Sequence, residues 1–234
     1  MTTRIALILV SVAACGGSDT GPGTDAPVVS QTITVTGTAE ELSASGANPV
    51  AGLLVEAFAN TAETTVVASA MTDASGNYTL VITTNGSTLD GFLKATKSGL
   101  MDTYLYPPAP LAADFDGASL NMVSPNTFGL LADTLCRATQ DTAKGAIAVL
   151  VNDAVGMPVA AATISSSPAS NKYCYNGTSG LPSSTATETQ PDGIGYVFNV
   201  TDNVTVSASK SGTTFKSHAV KARPGALTTT LIQP

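Results

Sequence analysis

Thr72-Asp73-Ala74-Ser75-Gly76-Asn77-Tyr78-Thr79-Leu80 is the stretch whose reading decides the fold. Asp-x-x-Gly is turn chemistry, because the Asp side chain can cap local N–H groups and Gly tolerates a left-handed backbone. Tyr78, Leu80 and Ile82 then alternate with polar Thr79 and Thr83, broken only by Val81. That is a hairpin corner followed by a strand with one buried face. A second copy lies downstream as Thr189-Gln190-Pro191-Asp192-Gly193-Ile194-Gly195-Tyr196-Val197-Phe198. The chain reads as one β-module used twice.

Composition agrees. With 234 residues there is room for two domains, each with a core of its own. Charged residues are 12% of the chain, about half the usual share, and the polar fraction is carried by Thr, Ser, Gly and Asn. Such a chain suits strands better than helices. A net charge of −7, with ten Lys and Arg residues dispersed along the chain, excludes a phosphate-binding stripe and so nucleic acid as a partner.

The amino terminus reads as an address. Arg4 precedes an apolar run of ten residues, Ile5 to Ala14, which is half the roughly 20 that a bilayer-spanning helix needs. It fits the hydrophobic region of a secretory signal. Residues 16–27 are rich in Gly, Pro, Ser and Thr and have nothing to bury, as in a flexible tether. Strands are predicted at 31–37, 50–59, 64–72, 78–83, 92–97, 101–106 and 117–123. Further strands are predicted at 146–151, 184–189, 195–200, 204–209, 213–221 and 226–232. Between the two sets, Ser124-Pro125 starts a helix predicted over about 125–138, with Phe128, Leu131, Ala132 and Leu135 on one face.

The repeat holds by offset: Pro49-Val50-Ala51 returns as Pro158-Val159-Ala160, Gly76 as Gly193, and Lys97-Ser98-Gly99 as Lys210-Ser211-Gly212. The offsets, 109, 117 and 113, keep one order within eight residues of one register. The Ser-rich 165–184 segment reads as a local insertion.

Two resemblances follow from quoted residues. Val12-Ala13-Ala14-Cys15-Gly16 resembles the lipobox of bacterial lipoproteins, with Val12 where Leu is commonest. The resemblance implies cleavage before Cys15, acylation of that residue and, since Gly16 is not Asp, the outer membrane. The alternative is a plain signal peptide cut at an Ala-x-Ala-like site. Gly145-x-Ile147-x-Val149 with Asp153-x-x-Gly156-x-Pro158-Val159-x-x-Ala162-x-Ile164, and the Thr72–Leu80 turn, resemble the carboxypeptidase regulatory-like domain. That likeness implies transthyretin-like β-sandwiches, modules that are usually non-enzymatic. The expected organisation is a signal peptide over 1–14, a tether over 15–27, and a first sandwich over 28–123. A helical joint over 124–142 and a second sandwich over 143–234 complete it, an all-β chain with immunoglobulin-like layering.

Few residues suggest chemistry. His218 is the lone histidine and sits in an alternating stretch, so a catalytic or metal role lacks partners. Cys136 and Cys174 either pair as a disulfide, reasonable for an exported chain, or stay as separate buried thiols. Asp73-x-Ser75-x-Asn77 opens like a calcium loop, but Tyr78 and Thr84 stand where Gly and Glu are needed. No nucleophile elbow or phosphate loop is present, so no catalytic residue and no cofactor is expected. Tyr104/Tyr106 and Tyr173/Tyr175 form two pairs that either pack inward or offer rings to a sugar or peptide. The expected role is a non-enzymatic structural, scaffolding or protein-interaction protein of the envelope, attached to the membrane by lipid, with an envelope protein or a glycan as partner. The alternative is a carbohydrate- or peptide-binding module acting through those tyrosines.

Overall fold

A computed structural model describes residues 30–43 and 46–234, so the predicted signal, the tether and Cys15 lie outside the described residues. The first half holds β1 (Thr32–Ser43), β2 (Gly46–Pro49), β3 (Leu54–Ala59), β4 (Ala62–Met71), β5 (Asn77–Thr83), β6 (Gly91–Thr96), β7 (Thr103–Tyr106) and β8 (Leu120–Met122). A helical segment follows. The second half holds β9 (Gly145–Val151), β10 (Thr163–Ser167), β11 (Lys172–Asn176), β12 (Pro182–Ser183), β13 (Ile194–Val200), β14 (Asp202–Ser209), β15 (His218–Ala222) and β16 (Leu227–Ile232).

The opening stretch folds as its alternation dictates. Asp73 Oδ1 accepts from the N–H groups of Ser75 and Asn77, each at 2.8 Å. Gly76 sits at φ +77°, where a Cβ would meet the Ala39 carbonyl oxygen at 2.5 Å. Along β5 the residues Tyr78, Leu80 and Ile82 are buried while Asn77, Thr79, Val81 and Thr83 are exposed. Tyr78 donates its hydroxyl to the Ala118 carbonyl at 2.5 Å.

The same bonding pattern recurs in the second half. Thr72 Oγ1 donates to the Val50 carbonyl and accepts from Leu53 N–H, at 2.5 and 2.9 Å. Thr189 Oγ1 does the same with Val159 and Ala162, at 2.6 and 3.0 Å. A Cβ on Gly193 would meet the Val151 carbonyl at 2.6 Å, as one on Gly76 meets Ala39. The pairing repeats too. β1 is antiparallel to β5 and parallel to β8, and β9 is antiparallel to β13 and parallel to β16. The order β3-β6-β7 returns as β10-β14-β15. One strand changes sides: β4 pairs with β3, whereas β11 pairs with β13.

The halves are not separate beads. β16 pairs in parallel with β7, with Leu227 opposite Thr103 and Thr230 opposite Tyr106. This fuses them into one nine-stranded sheet, β12-β11-β13-β9-β16-β7-β6-β3-β4. Consecutive residues send opposite faces of that sheet into different cores. Leu93 packs with Ile33, Val35 and Leu80 under the first-half sheet of β1, β2, β5 and β8. Phe92 packs with Ile147, Val149 and Val206 under β10-β14-β15. The two covering sheets therefore lie on opposite faces of a shared spine, each forming a β-sandwich with it.

The helix differs from the expected joint. Pro125–Gly129 is α-helical, capped by Ser124 Oγ accepting from Thr127 N–H at 3.1 Å. Leu130–Leu135 then widens to a π-helical turn ending at Cys136. The segment packs Ala132 and Cys136 onto Ala146, Cys174 and Phe198, so it covers the sheet, while the β7–β16 ladder connects the halves directly.

Two further expectations are corrected. Residues 184–189 are not a strand, because Thr189 spends its side chain on the corner just described. The 165–184 segment is not a plain insertion, since it carries β11 and β12. The offset that carries Gly76 onto Gly193 carries Tyr78 onto a glycine. Gly195 takes that place, pairing with Val149 as Tyr78 pairs with Gly37, and Tyr196 faces the helix side with Phe198. The large and small partners have exchanged strands.

Candidate interaction surfaces at the seam

The densest polar constellation lies where the halves meet. Phe92 on β6 and Tyr104 and Tyr106 on β7 turn their rings toward the second half, and Arg223, just after β15, reaches across. Its guanidinium lies 4.0 Å from the Tyr104 ring centroid and 4.6 Å from that of Phe92. Nη1 donates to Tyr106 Oη and to the Lys221 carbonyl, both at 3.1 Å. Nη2 donates to Glu63 Oε2 at 3.1 Å, and Lys221 Nζ bridges both oxygens of the same carboxylate at 3.0 and 2.9 Å. Burial pushes the Glu63 carboxyl up, but the Lys221 hydrogen bond and the Arg223 and Lys221 charges outweigh it and hold it below the ordinary 4.5. Planar Arg over flat rings, with a carboxylate at its edge, is a clamp that uses three of the guanidinium's N–H donors as well as its face.

His218 completes this seam. Its Nδ1 lies 2.6 Å from Thr230 Oγ1, and its ring meets that of Tyr106 edge-on at 6.4 Å. Burial lowers its pKa below 6.5, and the Asp90 charge pulls the other way. The histidine is a packing group of the seam.

The tyrosine pairs do not present two open rings each. Tyr106 and Tyr175 are 4% and 5% exposed, and Tyr104 lies under Arg223. On the other pair, Tyr175 Oη accepts from Ile164 N–H at 2.9 Å, and Tyr173 Oη accepts from Ser166 N–H at 3.2 Å. These two hydroxyls bond β10 from β11, in place of the ladder by which β4 bonds β3. Of the two alternatives for these four residues, the structure has them closing edges and packing against the second-half core.

Cys136 and Cys174 are bonded to each other, with Cα atoms 5.8 Å apart, and tie the π-helical turn to β11. Asp73 is fully engaged: the backbone N–H and side-chain amide of Asn77, then Ser75 N–H, hold its carboxyl below the ordinary 3.8. Among the described residues no three of His, Cys, Asp and Glu gather as a metal site would require.

Two hollows flank the seam on opposite faces. One, of about 290 Å³, is lined by Leu105, Pro108, Phe115, Ala148, Leu150 and Leu231. The other, of about 410 Å³, lies beside the clamp among Asn60, Glu63, Tyr106, Asn203 and Lys221. Neither was legible in sequence, because each joins residues far apart in the chain, from Leu105 to Leu231 in one and from Asn60 to Lys221 in the other, and carries no local signature.

No family model and no curated protein matches the chain. Among solved structures it is similar to the TIE protein of Bacillus anthracis, at 9% identity, covering 86% of this chain and 34% of that one, with a TM-score of 0.28. It is similar to the shaft pilin SpaA of Lactobacillus rhamnosus GG, at 14% identity, covering 87% and 98%, with a TM-score of 0.27. It is also similar to GBS52, the minor pilin of Streptococcus agalactiae, at 11% identity, covering 86% and 94%, with a TM-score of 0.28. Overlays this loose carry no argument, and the β-sandwich assignment rests on the sheets described above.

Proposed function

We propose that the chain is a non-enzymatic lipoprotein of the cell envelope, held at the outer membrane by an acylated Cys15 and serving a structural, scaffolding or protein-interaction role. The observation that carries the proposal is the order Val12-Ala13-Ala14-Cys15 after a ten-residue apolar run, followed by the Gly/Pro-rich 16–27 segment. Several acyl chains on one cysteine anchor a protein stably, where a single chain gives only marginal attachment. The body beyond the tether supports a mechanical or docking role, since its best-placed charged and aromatic groups are engaged in holding the halves together. The carboxypeptidase regulatory-like ancestry of each half is part of the same proposal and is supported by the recurring Thr72 and Thr189 corners.

Metabolic labelling of producing cells with radioactive fatty acid tests the anchor. Label on the wild type that vanishes in Cys15→Ala, with the protein released from the membrane fraction, is the expected result. An unlabelled wild type, or label surviving in Cys15→Ala, would overturn it.

A further inference from the structure

We propose that Asn85 is a self-modifying residue: the backbone nitrogen of Gly86 attacks its side-chain amide, and the position converts to aspartate and isoaspartate. The proposal does not rest on the anchor at Cys15.

The chain contains two Asn-Gly pairs, Asn85-Gly86 and Asn176-Gly177. Glycine has no Cβ to shield its backbone nitrogen, so this dipeptide is where an asparagine amide is most open to attack from its own chain. The two pairs differ in what holds the reacting atoms. Asn85 and Gly86 are the exposed tip of the turn after β5, at φ +52° and +77°. Asn-Gly suits such a turn because both central residues must be left-handed. Ser87 N–H closes it on the Thr84 carbonyl at 3.0 Å. Among the described residues nothing bonds the Asn85 side-chain amide or the Gly86 N–H.

Asn176 is pinned at every point. It is 3% exposed. Its Nδ2 donates to Asp192 Oδ2 at 2.7 Å, and its Oδ1 accepts from the Tyr196 hydroxyl at 3.0 Å. Gly177 N–H donates to the Leu181 carbonyl at 2.8 Å. Turning this amide toward Gly177 would leave partly buried partners unpaired.

The reaction balances with water as its one co-reactant. Gly86 N bonds to Asn85 Cγ, the Cγ–Nδ2 bond breaks, and ammonia leaves carrying the Gly86 proton. Water then opens the five-membered imide at either carbonyl. One opening restores the ordinary backbone as aspartate, and the other routes the main chain through the side chain as isoaspartate. In both, a neutral amide becomes a carboxylate.

Placement gives the change a consequence. The N–H groups of Thr84 and Asn85 both donate to the Gln31 carbonyl, at 2.9 and 3.3 Å, and Thr84 Oγ1 donates to the Ser30 carbonyl. The turn thus clasps the chain where β1 begins. Isoaspartate inserts a methylene into a two-residue turn and sets a negative charge at its tip, which loosens the clasp.

The full chain in mild detergent, aged at mildly alkaline pH both folded and in urea and followed by peptide mass mapping, tests this. In the folded chain Asn85 is expected to exchange amide for acid mass and to yield both aspartate and isoaspartate. Asn176 should lag by about tenfold or more, the delay imposed by opening its hydrogen bonds. In urea the two should convert at similar rates. The Thr84 and Asn85 amides should exchange hydrogen faster in the aged folded chain than in the fresh one. Asn85 that stays an amide in the folded chain while it converts in urea would overturn the proposal. So would Asn176 keeping pace when folded, aspartate without isoaspartate, or unchanged exchange at Thr84 and Asn85.

Discussion

Replacing Arg223 by Ala should be among the most destabilising single changes outside the cores. The side chain sits over two rings, at 4.0 and 4.6 Å, and is 15% exposed; partly desolvated cation–π contacts of this kind are worth about 1 kcal/mol each. Truncation also leaves Tyr106 Oη without its donor, for about another 1 kcal/mol. Glu63 keeps Lys221, so no carboxylate is orphaned, and the half-open ion pair adds less than about 1 kcal/mol. The total is about 3–4 kcal/mol. Arg223→Lys keeps the charge but not the planar stack or the fork, and should lose about half of that. Urea unfolding followed by circular dichroism measures both. A loss below about 1 kcal/mol for the alanine variant, or a lysine variant as stable as the wild type, would refute the assignment of the clamp's strength to stacking.

Three further outcomes are expected. Acidification should weaken the fold in two steps. Folded His218 resists the proton that the unfolded chain accepts, so stability falls as pH drops below about 6.5. The contribution of Glu63, present above its ordinary 4.5, is lost as pH falls through its lower folded value; His218→Gln should remove the upper step of a pH series of unfolding midpoints. Reducing the Cys136–Cys174 bond, which closes a separation of 38 residues, should cost about 4 kcal/mol by loop-closure entropy, read as a drop in the urea midpoint under dithiothreitol. Gly76→Ala and Gly99→Ala share a left-handed backbone, at φ +77° and +87°, but only at Gly76 does the new Cβ meet a carbonyl. Gly99→Ala should cost about 1 kcal/mol and Gly76→Ala clearly more, as measured by differential scanning fluorimetry.

Much of this architecture was legible locally. The Thr72–Leu80 turn, the β5 alternation and the offset landmarks are short-range facts, and the structure returns them as one bonding pattern at Thr72 and Thr189. What was not legible depends on partners chosen at long range. Nothing in Thr103–Tyr106 or Leu227–Thr230 says that these runs pair with each other rather than ending two separate sheets. Tyr196 points away from the core that Tyr78 fills because a one-residue shift sends a side chain to the other face, and the Gly37–Tyr78 pair returns as Val149–Gly195 with its bulky partner exchanged. Whether the tyrosine pairs pack inward or stay open was not legible, because i and i+2 share a face in a strand while the element covering that face is invisible in sequence. The π-helical turn ends where Cys136 is held to Cys174, a constraint 38 residues away.

The central claim is that the β7–β16 ladder makes the two halves one cooperative body, and calorimetry of the full chain tests it most directly. Roughly 200 structured residues at about 0.7 kcal/mol each give an unfolding enthalpy of about 140 kcal/mol near 60 °C. One transition whose van't Hoff enthalpy equals that calorimetric value is the predicted result. Two transitions, or a van't Hoff enthalpy near about 70 kcal/mol, would mean that each half melts alone and would contradict the shared sheet.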